Sequence, residues 1–134
     1  MPIKLAEGYA ELCHAGVKGD RAHLERAAKA LGFLAEADDP KMIADFLVLL
    51  EVATEPFLEE GVYDFGASDL PPRAREAALE MFLKHGFVRP PPAETLFIHR
   101  KLGGTFLLCT KLKARVDVRE LIEPLLEKFP PQLA

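Results

Sequence analysis

The chain has 134 residues, 49% of them apolar and 28% charged, with a formal net charge of −4. That is enough apolar material for one ordinary core, so a single domain over residues 1–134 is expected and disorder is excluded. The acidic balance argues against a general nucleic-acid binder, and the absence of Trp leaves no stacking platform for single strands.

Nearly every segment repeats its apolar residues with helical period. Leu5, Tyr9, Leu12 and Cys13 form a stripe on a first helix that should end around Gly16–Gly19. Asp20 is placed to cap a second helix, whose buried face is Leu24, Ala27, Ala28 and Leu31 and whose stop is Gly32. Asp39-Pro40 combines an N-cap with a proline whose missing N–H costs nothing at the first helical position. The helix that follows carries Ile43, Phe46, Leu47, Leu50, Ala53 and Phe57, widened by Val48, Leu49 and Val52. A helix apolar nearly all round is expected at the centre of the fold. Pro56 should kink or end it.

Glu60–Leu70 reads as a loop. A fourth helix starting near Pro71-Pro72 is expected to bury Ala78, Leu79, Phe82 and Leu83 and to end at Lys84, His85 and Gly86. Pro90-Pro91-Pro92 forms a stiff connector. Ile98, Leu102, Phe106, Cys109, Leu112 and Val116 then run as one stripe straight through Gly103-Gly104, which predicts one long or kinked helix. Asp117 and Glu120 match a capping box for a last helix burying Leu121, Ile122, Leu125 and Leu126, with Pro124 able to split it. The tail from Pro130 to Ala134 is expected to fray. No alternating run supports a sheet, so the expected fold is all-α, an irregular bundle of five to seven helices.

The first fifteen residues carry Lys4, Glu7 and Glu11 where a signal peptide needs an unbroken apolar stretch, and Met42–Leu58 is too interrupted by acids and Pro56 to span a bilayer. A cytoplasmic protein is expected, with a peripheral membrane role left open. Cys13 and Cys109 lack any pair spacing and read as free, mostly buried thiols.

Asp64-Phe65-Gly66 matches the triplet in which a protein kinase holds magnesium, but that chemistry needs a glycine-rich loop, a strand lysine and a catalytic loop upstream, and none is present. The expectation is a loop whose Tyr63 and Phe65 dock onto the bundle. His14, His23, His85 and His99 show no i, i+4 pairing for a metal, and Cys13-His14 point about 100° apart on a helix. Surface or helix-terminal histidines are expected, and no catalytic, cofactor-binding or metal residue is assigned. Eight acids against Lys41 alone lie between Glu36 and Glu60, whereas Arg100, Lys101, Lys111, Lys113, Arg115 and Arg119 crowd the later part of the chain. The favoured reading is two solvated faces attracting each other across the bundle. The other is a basic surface for a phosphate, an anionic membrane or an acidic partner. Gly103-Gly104 inside a helix costs about 1 kcal/mol per glycine, which calls for close helix packing, a kink, or backbone approach to a ligand.

The block from Pro91 through Phe97-Ile98-His99-Arg100-Lys101-Leu102-Gly103-Gly104, continuing at Lys113–Val118, resembles the late signature of the UbiB/AarF atypical kinase-like family. Tyr9–Leu12, Gly19-Asp20, Leu31–Phe33 and Tyr63–Gly66 also resemble the region that follows that family's catalytic core. The resemblance implies a non-catalytic helical C-terminal region that supports a catalytic lobe or meets a partner, a second copy or an anionic membrane surface. His99, Arg100, Lys101, Gly103 and Gly104 form the candidate interaction surface. No cofactor is implied for this chain: ATP and magnesium would belong to the upstream machinery, none of whose motifs has a match here. The family's link to isoprenoid-quinone or lipid metabolism is context only. The competing expectation is a free-standing helical module that binds a protein or small ligand.

Overall fold

Small residues on two neighbouring stripes set the first core. In the computed structural model, which describes residues 3–86 and 92–134, α1 (Ile3–Lys18) and α2 (Arg21–Ala30) form a hairpin. Gly19 turns the chain at φ 68°, and the Asp20 carboxylate accepts the His23 N–H at 3.1 Å. Ala15, Ala27 and Ala28 are fully enclosed, which lets the two backbones approach closely. Gly32, at φ 85°, ends α2 as expected, and the Phe33 N–H returns to the Ala28 carbonyl at 3.0 Å. Leu12, Leu24, Phe33 and Leu34 complete this core with Ile43 and Leu47 of α3 (Pro40–Ala53). Asp39 caps α3 by accepting the Lys41 N–H at 3.0 Å, and Pro56 sits buried in a separate short turn, α4 (Glu55–Leu58).

A second, aromatic core lies beneath the loop. Two short strands, β1 (Tyr63–Asp64) and β2 (Arg115–Val116), pair antiparallel with Tyr63 opposite Val116. This is the only sheet among the described residues. Two-residue strands are too short to show an alternating pattern in the sequence. Tyr63 and Phe65 are buried with Val118, against Phe57 and Phe106. The Phe65 ring lies 4.8 Å from that of Tyr63 and 5.7 Å from that of Phe106, edge-on or tilted.

The remaining helices are α5 (Leu70–His85), α6 (Ala93–Lys111) and α7 (Val118–Lys128). The expected all-α irregular bundle is therefore observed, with seven helices among the described residues. The Pro90-Pro91 part of the expected connector lies outside them.

Three expectations about facing are corrected. First, α3 is not the enclosed centre: only Ile43 and Leu47 are buried along it, and the α1–α2 hairpin holds that place. Second, α5 turns Leu79, Phe82 and Leu83 outward, at 55%, 55% and 72% exposure, and Ala78 is exposed as well. Leu70, Ala74, Ala77 and Met81 face inward instead, a competing stripe at equally good helical spacing. Polar contacts at both ends select that stripe: Arg73 donates to both Glu55 oxygens at 2.9 and 2.7 Å, and His85 Nε2 meets Asp45 at 2.7 Å. Third, Leu121 is exposed on α7, with Ile122, Leu125 and Leu126 only half-buried, and Pro124 does not split the helix. Because α5 leaves Leu83 in water, Leu83→Lys should change the unfolding free energy by less than about 0.5 kcal/mol in a urea melt. Met81→Lys, which buries an unpaired charge, should cost several times more.

Candidate functional site

The Asp64-Phe65-Gly66 triplet is spent on structure. Asp64 Oδ1 accepts the N–H groups of Gly66 and Ala67 at 3.1 and 3.2 Å, closing the turn on itself. Phe65 is buried at 2% exposure in the aromatic core. A Cβ on Gly66 would stand 2.7 Å from Lys113 Cβ and 3.0 Å from its backbone, so only glycine fits there. Beside it, the Tyr63 hydroxyl donates to Glu55 at 2.6 Å, and burial together with this carboxylate pushes the phenol up to about 12. Loop docking through Tyr63 and Phe65 is as expected.

The histidines divide. His14 Nε2 donates to the Phe129 and Leu126 carbonyls at 2.8 and 3.2 Å, satisfying the C-terminus of α7, and His85 closes α5 onto α3. His23 corrects the expectation of surface or helix-terminal histidines: its side chain is 0% exposed and meets Glu11 at 2.5 Å. The same carboxylate accepts the backbone N–H groups of Gln132 and, at 3.2 Å, Leu133. Arg26 Nε donates to the Leu133 carbonyl at 2.7 Å. The tail expected to fray is therefore held by a buried carboxylate. Burial pushes Glu11 upward, but hydrogen bonds from His23 and from the two tail N–H groups outweigh it, so its carboxyl stays below the usual range. Sequence reasoning missed this pair, though both residues share a helix face with small apolar residues, His23 four positions before Ala27 and Glu11 four before Ala15. Cys13 is free and half-buried, and burial pushes its thiol up to about 11, so it is not an activated nucleophile.

Among the described residues no group of three or more His, Cys, Asp or Glu could hold a metal ion. What remains is α6. Its inner side carries Thr95, Ile98, Leu102, Phe106 and Cys109, all buried or half-buried. His99, although exposed, lies at the rim of this side: the Tyr9 hydroxyl meets its Nε2 at 2.9 Å and the Phe33 ring lies 5.4 Å away. Burial lowers the pKa of His99 and pushes Tyr9 up to about 12. The opposite side of α6 spans about 160° at 100° per residue. It presents Leu96, Phe97, Leu107 and Leu108 at 44–65% exposure, with Arg100, Lys101, Gly103 and Gly104 between them. The structure thus brings four of the five candidate residues to one outer face and takes His99 away from it.

The glycine pair is not explained by packing among the described residues. A Cβ built on Gly103 or Gly104 meets nothing within 4 Å among the described residues. Replacing either with alanine should therefore stabilise the chain by about 1 kcal/mol through helix propensity alone. A thermal melt that shows a destabilised variant instead would contradict an open face.

No family model matches the chain. Comparison with curated proteins finds a class of relatives, the atypical kinases. The chain is 31% identical over 126 residues, 94% of its length, to the atypical kinase COQ8B, mitochondrial, of Rattus norvegicus. It is 32% identical over 120 residues to COQ8B of Danio rerio, and 31% identical over 128 residues to the atypical kinase COQ8, mitochondrial, of Schizosaccharomyces pombe. Over about nine-tenths of its length the chain is thus homologous to the COQ8/UbiB family, as the Phe97–Gly104 block implied. It spans 24%, 19% and 21% of these three relatives. None of its described helices is long and apolar enough to cross a membrane.

Proposed function

We propose that this chain is the non-catalytic helical C-terminal region of an atypical kinase of the UbiB/AarF type, and that it supports the catalytic lobe. The observation that carries this reading is the exposure of Leu79, Phe82 and Leu83 on α5 and of Leu96, Phe97, Leu107 and Leu108 on α6. Apolar faces of this kind mark a surface that a partner covers. Its homology to about a fifth of the length of kinases makes the kinase lobe the natural partner.

In this reading ATP and magnesium bind to the lobe and the bundle contributes packing. The Rattus norvegicus relative, shortened by the 126 residues that match this chain, supplies the test partner. The chain added in trans should bind that shortened kinase in a calorimetric titration, whereas magnesium-ATP titrated into the chain alone should give no heat of binding. Heat with the nucleotide, or none with the shortened kinase, would refute the proposal.

A further inference from the structure

The acidic segment from Glu36 to Glu60 does not neutralise α6. Glu36 pairs with Lys29 at 3.1 Å, Asp45 with His85 at 2.7 Å, and Glu51 with Arg21 at 2.8 Å. Glu55 pairs with Arg73 at 2.7 Å and Glu60 with Arg119 at 3.1 Å. The attraction across the bundle expected from the sequence therefore does not involve the cations of the α6 outer face. Among the described residues Arg100 and Lys111 make no ion pair, and Lys101 lies 4.9 Å over the Phe97 ring. This face combines exposed apolar side chains, a gap at Gly104 near its middle with Gly103 at one edge, and unneutralised positive charge.

We infer that the outer face of α6 receives an amphipathic helix edged with carboxylates, presented by the kinase lobe. The inference rests on the preceding reading and names the contact through which the lobe is met. Each part of the face specifies part of that partner. Gly104 leaves a gap near the middle of the face, between Leu96-Phe97 below and Leu107-Leu108 above, which lie about 16 Å apart along the axis, or about three helical turns. A glycine crossing point lets two helix backbones approach more closely than side chains otherwise permit. Arg100, Lys101 and Lys111 share the face with these leucines, so carboxylates along the edges of the incoming helix find charge there that no described residue neutralises.

The same features weigh against the other occupants. A second copy docking by the same face would set these three cations against their own counterparts, because a two-fold interface uses one patch twice. A lipid surface would favour cations beside apolar residues. It gains nothing, however, from a glycine at the centre of the inserting face, where large apolar side chains supply the binding energy.

The test uses the 134-residue chain and a fluorescent synthetic helical peptide with an Ala/Leu seam flanked by Glu, read by anisotropy. The peptide should bind, and the version with Gln for Glu should bind about tenfold more weakly, as expected when several partly exposed charge pairs are removed together. Gly104→Leu should abolish binding while leaving the melting temperature unchanged or higher, since the added side chain enters open space. The shortened Rattus norvegicus kinase should displace the peptide. Equal affinity for the Gln peptide, or undiminished binding by Gly104→Leu, overturns the inference. So does binding to 3:1 phosphatidylcholine–phosphatidylglycerol vesicles that Gly104→Leu strengthens, or a dimer in light scattering that Gly104→Leu dissociates. If the shortened kinase binds without displacing the peptide, this inference fails and the supporting role stands. If the peptide binds and the shortened kinase does not, the supporting role fails, and with it the assignment of the helix to the lobe.

Discussion

Glu11→Ala should lower the free energy of unfolding by about 3 kcal/mol, the lower end of the range for removing one partner of a buried charge-bearing pair. Three groups lose their acceptor together. His23, at 0% exposure, already has a buried Nδ1 without a hydrogen-bond partner, so the substitution leaves both ring nitrogens unmatched. The N–H groups of Gln132 and Leu133 are released at the same time, and with them the tail that covers α1. Urea unfolding measures the loss, and carboxypeptidase digestion should remove residues 130–134 from the variant much faster than from the parent. The pH dependence has a definite sign. Because the Glu11 carboxyl is held below its usual range in the folded chain, its contribution is complete above the unfolded value of about 4.3 and is lost as pH falls below that. The stability difference between parent and Glu11→Gln should therefore shrink as pH is lowered from 5 toward 3. A difference that grows in that direction would refute the assignment.

Phe65→Ala should cost about 3–5 kcal/mol, the range for deleting a fully buried aromatic ring. Phe65 touches the rings of both Tyr63 and Phe106, so its removal opens a cavity in the centre of the aromatic core and loosens the β1–β2 pairing. Asp64→Asn is the informative companion. Asparagine keeps an oxygen for the Gly66 and Ala67 N–H groups, and the change gives up an exposed ion pair with Arg115 that is already long, at 3.9 Å. Its effect should stay below about 1 kcal/mol. A metal-binding triplet would show the opposite order of importance, with the aspartate indispensable and magnesium raising the melting temperature of the parent alone.

The chain's local grammar was legible in its letters. Asp20, Asp39 and Asp117 cap the helices they precede, accepting the N–H of His23, Lys41 and Glu120, and Gly32 ends α2 where it should. Each of these depends on residues within four positions, which is the range over which sequence spacing determines geometry. Facing was less legible. On α5 two stripes have equal spacing, and the choice between them was made by Glu55 and Asp45, 18 and 40 residues away from their partners. The Glu11–His23 pair and its hold on Gln132 depend on contacts across 12 and 121 residues, which no periodicity encodes. The outer face of α6 was half visible. The glycines and cations were conspicuous in the letters, but only the fold shows that no described neighbour fills the space beside Gly103 and Gly104 and that His99 leans away from the outer face onto Tyr9.

The most direct test of the supporting role is a thermal melt of the shortened Rattus norvegicus kinase with and without this chain at a concentration well above the expected dissociation constant. Binding to the folded kinase at a hundredfold excess over that constant stabilises it by about 2.7 kcal/mol, so its transition should move up by several degrees. A Gly104→Leu chain should leave the transition where it was. An unmoved transition with the parent chain would contradict the account.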